Sequence, residues 1–95
     1  MAKDKRYTTV RNLIAGGYIK SFSEIWNTLP KTVVARDLKM HHQTFTKLIG
    51  SPEKFSFEQA IEIGLLIEVD SFDIMNLIYT QLVIDKKVNK SNNGL

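Results

Sequence analysis

The chain has 95 residues, enough for one domain with a single modest core and too few for a second. It contains no cysteine, which excludes disulfides and thiolate metal sites, and no segment approaches the roughly 18 uninterrupted apolar residues of a membrane span. The net charge of +3 conceals a segregation: residues 1–54 carry ten Lys or Arg against four acids, residues 55–85 carry six acids and no base, and residues 86–95 carry three lysines. Such polarity turns one half toward a polyanion, although a charge run is also ordinary solvated surface.

The start, MAKDKRYTT, is charged, with no apolar stretch behind it that could serve as a signal peptide, so a cytoplasmic protein is expected. Residues 1–6 read as a flexible basic arm, and Thr8 to Ala15 as a short helix with Val10, Leu13 and Ile14 inward, stopped by Gly16-Gly17. This arm and helix (1–20) precede the main domain (21–87), and the tail VNKSNNGL (88–95) is disordered by composition. Ser21 and Glu24 have the spacing of a capping box opening a helix whose apolar stripe is Phe22, Ile25, Trp26 and Leu29. Pro30 ends that helix or sits in the first turn of the next.

Residues 33–50 predict two short helices around a tight turn. Val34, Ala35 and Leu38 share the buried face of the first, Phe45, Leu48 and Ile49 that of the second, and Met40 fills the gap between them. Ala35 suits a close helix crossing, or is simply a good helix former. With Phe45 inward, Gln43, Thr46 and Lys47 fall near the opposite side, flanked by His42 and Thr44. That face offers an amide able to bond an adenine edge in two places, hydroxyls, an ammonium and an imidazole, groups suited to groove edges and phosphates. A solvated helix with nothing bound shows polar residues too.

Gly50 is expected to close this helix as a left-handed cap, leaving Ser51 to Lys54 as a loop whose amides and Lys54 lie beside the helix. Ser56 and Gln59 form another capping box, opening an almost wholly apolar helix that belongs to the core. A last helix opens at Asp70 or Ser71 and runs to about Lys86 or Lys87. Its apolar residues cover more than one stripe, and the excess, notably Ile74, Leu77 and Ile84, suggests a symmetric dimer contact; the alternative is a helix wholly wrapped by its own domain.

Residues 31–79, KTVVARDLKMHHQTFTKLIGSPEKFSFEQAIEIGLLIEVDSFDIMNLIY, resemble the Cro and phage-repressor (Xre-type) helix-turn-helix family over about half the chain. The stretch from Phe55 to Ile78 looks like that family's fourth and fifth helices. The resemblance implies an all-α, lambda-repressor-like bundle of about five to six short helices that binds operator DNA as a dimer. By position it implies that Lys31 contacts phosphate, that His42 and Gln43 and then Thr46 and Lys47 read bases with Thr44 beside them, and that Lys54 grips the backbone. Two departures stand out. The Gly often found in the turn is Lys39, which places a side chain where positive φ is favoured. The Gln common at the start of the second helix is Lys31, which leaves the family's side-chain relay onto the recognition helix unsupported.

The leading expectation is therefore a sequence-specific DNA-binding regulator, a repressor, whose dimer sets two recognition helices (42–49) about 34 Å apart to read an inverted repeat. The alternative is an antitoxin-like or adaptor protein that uses its acidic 55–85 surface and final helix to bind a protein partner. Catalysis has thin support. His41 and His42 are adjacent and project about 100° apart, no Cys or acid joins them at ligand spacing, and Glu58 and Glu62 repel one another. No metal, cofactor or membrane partner is expected.

Overall fold

The computed structural model describes the backbone of residues 4–92 and the side chains through residue 87. It is all-α, with no strand among the described residues: α1 (Arg6–Ala15), α2 (Lys31–Asp37), α3 (His42–Gly50), α4 (Phe57–Ile67) and α5 (Ser71–Asn92), with short 3₁₀ segments at Phe22–Asn27 and Pro52–Lys54. None of these helices is long and apolar enough to cross a membrane.

Local chemistry sets most of the ends. The Asp4 carboxylate accepts from the Arg6 amide at 2.9 Å and pairs with its guanidinium at 2.7 Å, so residues 4–6 of the expected arm lead directly into α1, while residues 1–3 lie outside the described residues. Gly17, at φ +77°, turns the chain after α1 in the left-handed region that glycine adopts without steric cost. At α4 the Ser56 hydroxyl accepts from the Gln59 amide and the Gln59 side chain accepts from the Ser56 amide, completing the expected box. Asp70 accepts from the Phe72 amide at 2.9 Å and caps α5.

Three expectations about local structure are corrected. The Phe22 segment is a 3₁₀ helix: with Phe22 and Ile25 three residues apart and both fully buried, a three-residue period stacks them on one edge, and Pro30 leaves little room for more turns. Its capping box still forms, with the Glu24 carboxylate accepting from the Ser21 amide and hydroxyl. Gly50 is the last residue of α3 in helical conformation, because Ser51 and the Pro52 turn end the helix instead. The backbone of α5 continues through Asn92, beyond Lys87 and into the expected disordered tail; no Gly or Pro interrupts the chain between Ser71 and Gly94. Residues 93–95 of that tail lie outside the described residues.

One core joins the five α-helices and the Phe22–Asn27 segment. Tyr7 and Val10 of α1 belong to it together with Phe22, Ile25, Leu29, Val34, Ala35, Phe45, Ala60, Ile63 and Ile67, so α1 packs into the same core as the elements after residue 21. Its centre is an aromatic cluster in which Phe22 meets Trp26 (5.4 Å) and Phe55 (5.3 Å) edge to face. Such pairs contribute about 0.5–1.5 kcal/mol beyond their burial. A Cβ on Gly64 would lie 3.1 Å from the Val69 carbonyl oxygen and 3.2 Å from Ser71 Cα, so this glycine permits the tight return from α4 into α5.

The dimer contact expected at Ile74, Leu77 and Ile84 is corrected at two of its three residues. Ile74 (0% exposed) and Leu77 (5%) are spent on the domain's own core, while Ile84 is 43% exposed. The Ser23 amide donates to Gln81 Oε1 at 3.1 Å, helping to fix the rotation of α5 that turns Ile74 and Leu77 inward.

Candidate nucleic-acid interface

The α2–turn–α3 unit is built from short-range bonds. The Leu38 amide donates to Val34 O and the Met40 amide to Ala35 O, each at 2.9 Å, closing α2 and reversing the chain. Between them Lys39 adopts φ +58°, the left-handed conformation expected at this position. Met40 packs half-buried against the core, as its place in the turn requires.

Phe45 sets the rotation of α3. Its ring is fully buried and meets Trp26 edge-on (5.4 Å between centroids, 90° between planes) and Phe55 at 6.2 Å. With that side chain locked inside, His42, Gln43, Thr44 and Lys47 are exposed and Thr46 is half-buried. Thr46 Oγ1 lies 3.4 Å from His42 Nε2, one turn away, and the imidazole tautomer decides which atom donates.

Two further features favour an anion. α3 contains no acidic residue, and neither it nor α2 has a side-chain cap hydrogen bond, since their N-caps are His41 and Pro30. The first amides of α3 are therefore available to an acceptor at the positive end of the helix dipole. Along α3 and into the turn that follows it, Thr44, Lys47, Leu48, Gly50, Ser51 and Lys54 line a shallow concavity of about 470 Å³. Its two lysines and two hydroxyl residues suit a phosphate.

The structure thus groups Thr44, Lys47 and Lys54 at one recess, pairs His42 with Thr46, and leaves Gln43 exposed on the same helix. Lys31 occupies a separate place, as the first residue of α2, half-buried. Sequence reasoning did not find that Gly50, a helical residue at which a Cβ would meet nothing within 4 Å, lines this recess without a side chain. Among the described residues no group of three or more His, Cys, Asp or Glu could hold a metal ion. No family model matches the chain, and no characterised protein or solved structure matches it.

Proposed function

We propose that the protein is a sequence-specific DNA-binding regulator of transcription, a repressor, working in the cytoplasm as a homodimer that reads an inverted repeat through α3. The observation that carries this reading is the burial of Phe45, which commits the opposite side of a short, acid-free helix to solvent with Gln43, Thr44 and Lys47 displayed on it. Gln43 supplies the bidentate amide for a base edge; Lys47 and Lys54, flanking one recess, supply phosphate contacts that set position. Lys31 adds a cation at the start of α2.

The test is selection of duplexes from a random pool, followed by binding across a salt series. Enrichment of one inverted repeat, with affinity falling steeply as salt rises, is expected. Equal binding to all duplexes, or none, would overturn the reading.

A second reading, the antitoxin-like or adaptor protein, draws on the other half of the molecule. Phe57 and Leu65 of α4 are largely exposed, with the exposed Glu58 beside them, a surface able to dock a protein. A stoichiometric protein retained from native lysate after nuclease treatment, with no duplex enriched, would favour it.

A further inference from the structure

The late part of α5 returns to the neighbourhood of α3. A short turn at residues 68–70 joins α4 to α5 and sends the chain back beside α4. Tyr79 and Leu82 therefore line a cleft of about 310 Å³ with Phe57, at the start of α4, and with Pro52, Glu53 and Phe55, which follow α3. The backbone of α5 continues to Asn92, ten residues past Leu82, which is about 15 Å at 1.5 Å per residue. It thus overhangs the start of α4 at the end of the molecule that carries the Pro52–Lys54 turn.

The charge of the chain changes sign where the overhang begins. Residues 55–85 hold six acids and no base, and the next two residues are Lys86 and Lys87, both exposed. At 100° per residue Lys86 lies within about 40° of Leu82, one turn further on, and so on the side of α5 that borders Pro52 and Glu53. Asp85 falls on the opposite flank of Leu82. Its carboxylate accepts from Gln81 Nε2 at 3.0 Å, and Gln81 Oε1 accepts from the Ser23 amide, so this acid is tied on the side of the Phe22–Asn27 segment. The helix dipole does not account for the two lysines, because its influence is confined to the last turn and α5 runs five residues beyond Lys87.

We infer that the end of α5 is a second phosphate-contacting element, in which Lys86 and Lys87 extend the basic track begun by Lys47 and Lys54. The inference rests on the DNA reading proposed above and adds to it an element outside α2 and α3. The Pro52–Lys54 turn borders both parts of the track: Lys54 lines the recess with Lys47, while Pro52 and Glu53 line the cleft with Leu82. Glu53, exposed in that turn, divides the track into two basic points, Lys47 with Lys54 and Lys86 with Lys87. A duplex carries one charge per about 1.7 Å of its axis, so phosphates are available to both points at once. Contacts of this kind fix position and add affinity without reading sequence.

The test uses the full chain and the duplex enriched by selection. Lys86→Gln combined with Lys87→Gln should weaken binding to every duplex alike, flatten the slope of log affinity against log salt by roughly two units, and leave the enriched sequence unchanged. Lys86→Arg combined with Lys87→Arg keeps both charges and should bind as the parent does. Both positions are exposed, so the circular dichroism and urea midpoint of each variant should match the parent. Arg11→Gln also removes a positive charge, but at the other end of α4, where Arg11 lines a recess with Glu68, Val69 and Asp73. It should leave the slope unchanged.

A slope unaffected by the Lys86 and Lys87 exchange to Gln, an equal loss per charge from Arg11→Gln, or selection of a different sequence by the lysine variant would each overturn the inference. In those cases a parent that still enriches an inverted repeat leaves the DNA reading standing. A parent that binds no duplex overturns both.

Discussion

The Tyr7 hydroxyl donates a 2.7 Å hydrogen bond to the Asp37 carboxylate, joining α1 to the last residue of α2 across thirty residues of chain. Tyr7→Phe should lower the unfolding free energy by about 1–2 kcal/mol in urea titrations, the range for a partly buried bond to a charged acceptor. Burial, and then the Asp37 carboxylate, push the Tyr7 phenol well above its ordinary value. A raised folded pKa means that this contribution is complete below about pH 10, the unfolded value, and is lost as pH rises through the folded one. Tyrosinate absorbance followed beside circular dichroism should show one phenol ionising only as the protein unfolds, a component absent from Tyr7→Phe.

Phe45 and Gln43 should separate stability from reading. Phe45→Ala removes a fully buried ring from the aromatic cluster and should cost about 3–5 kcal/mol. Gln43→Ala, at an exposed position, should change stability by less than about 0.5 kcal/mol while altering which duplex is selected. An unchanged preference would remove Gln43 from the base-reading set.

The lysines should act without regard to sequence. Lys31→Ala, Lys47→Ala and Lys54→Ala are each expected to weaken binding to every duplex alike and to flatten the slope of log affinity against log salt by roughly one unit. A slope unchanged by Lys54→Ala would separate the recess from the DNA path.

Two backbone positions should respond with opposite sign. Lys39→Gly relieves a side chain held at φ +58° and should stabilise by about 0.5–1 kcal/mol after the entropy cost of glycine. Gly64→Ala places a methyl 3.1–3.2 Å from the backbone of the following turn and should destabilise by roughly 1–3 kcal/mol. Urea midpoints measure both.

Glu24 should contribute to acid sensitivity. Its carboxylate accepts from the Lys20 amide and from the amide and hydroxyl of Ser21, and these bonds hold it below the usual carboxylate range. A depressed folded pKa gives stability that is present above about pH 4.3, the unfolded value, and lost as pH falls through the folded one. Glu24→Gln should therefore show a shallower loss of stability in acid than the parent.

Much of the helical layout is legible in the residue order. Ser56 with Gln59, Asp70 ahead of Phe72, Gly17 after Ala15 and Pro30 before Lys31 each act on amides within a few positions of themselves, and each marks the boundary it predicts. The positive φ of Lys39 is legible for the same reason, since the turn between two such short helices leaves few backbone solutions. The α3 display is legible because one residue, Phe45, is large and apolar enough to set the helix rotation.

α5 and the Phe22 segment were not legible in this way. α5 carries more apolar residues than one core needs, and Phe72 and Tyr79 of that excess stay exposed. Nothing along the helix says whether Ile74 and Leu77 or Phe72 and Tyr79 turn inward. That choice is made by docking on α4 and by the Ser23–Gln81 bond, contacts whose partners are distant in sequence. The 3₁₀ form of Phe22–Asn27 and the bond between Tyr7 and Asp37 were decided at the same level. Interactions between near neighbours have fixed geometry and reveal themselves in spacing; those between remote residues acquire an energy only when whole elements pack, so the tertiary structure alone ranks them.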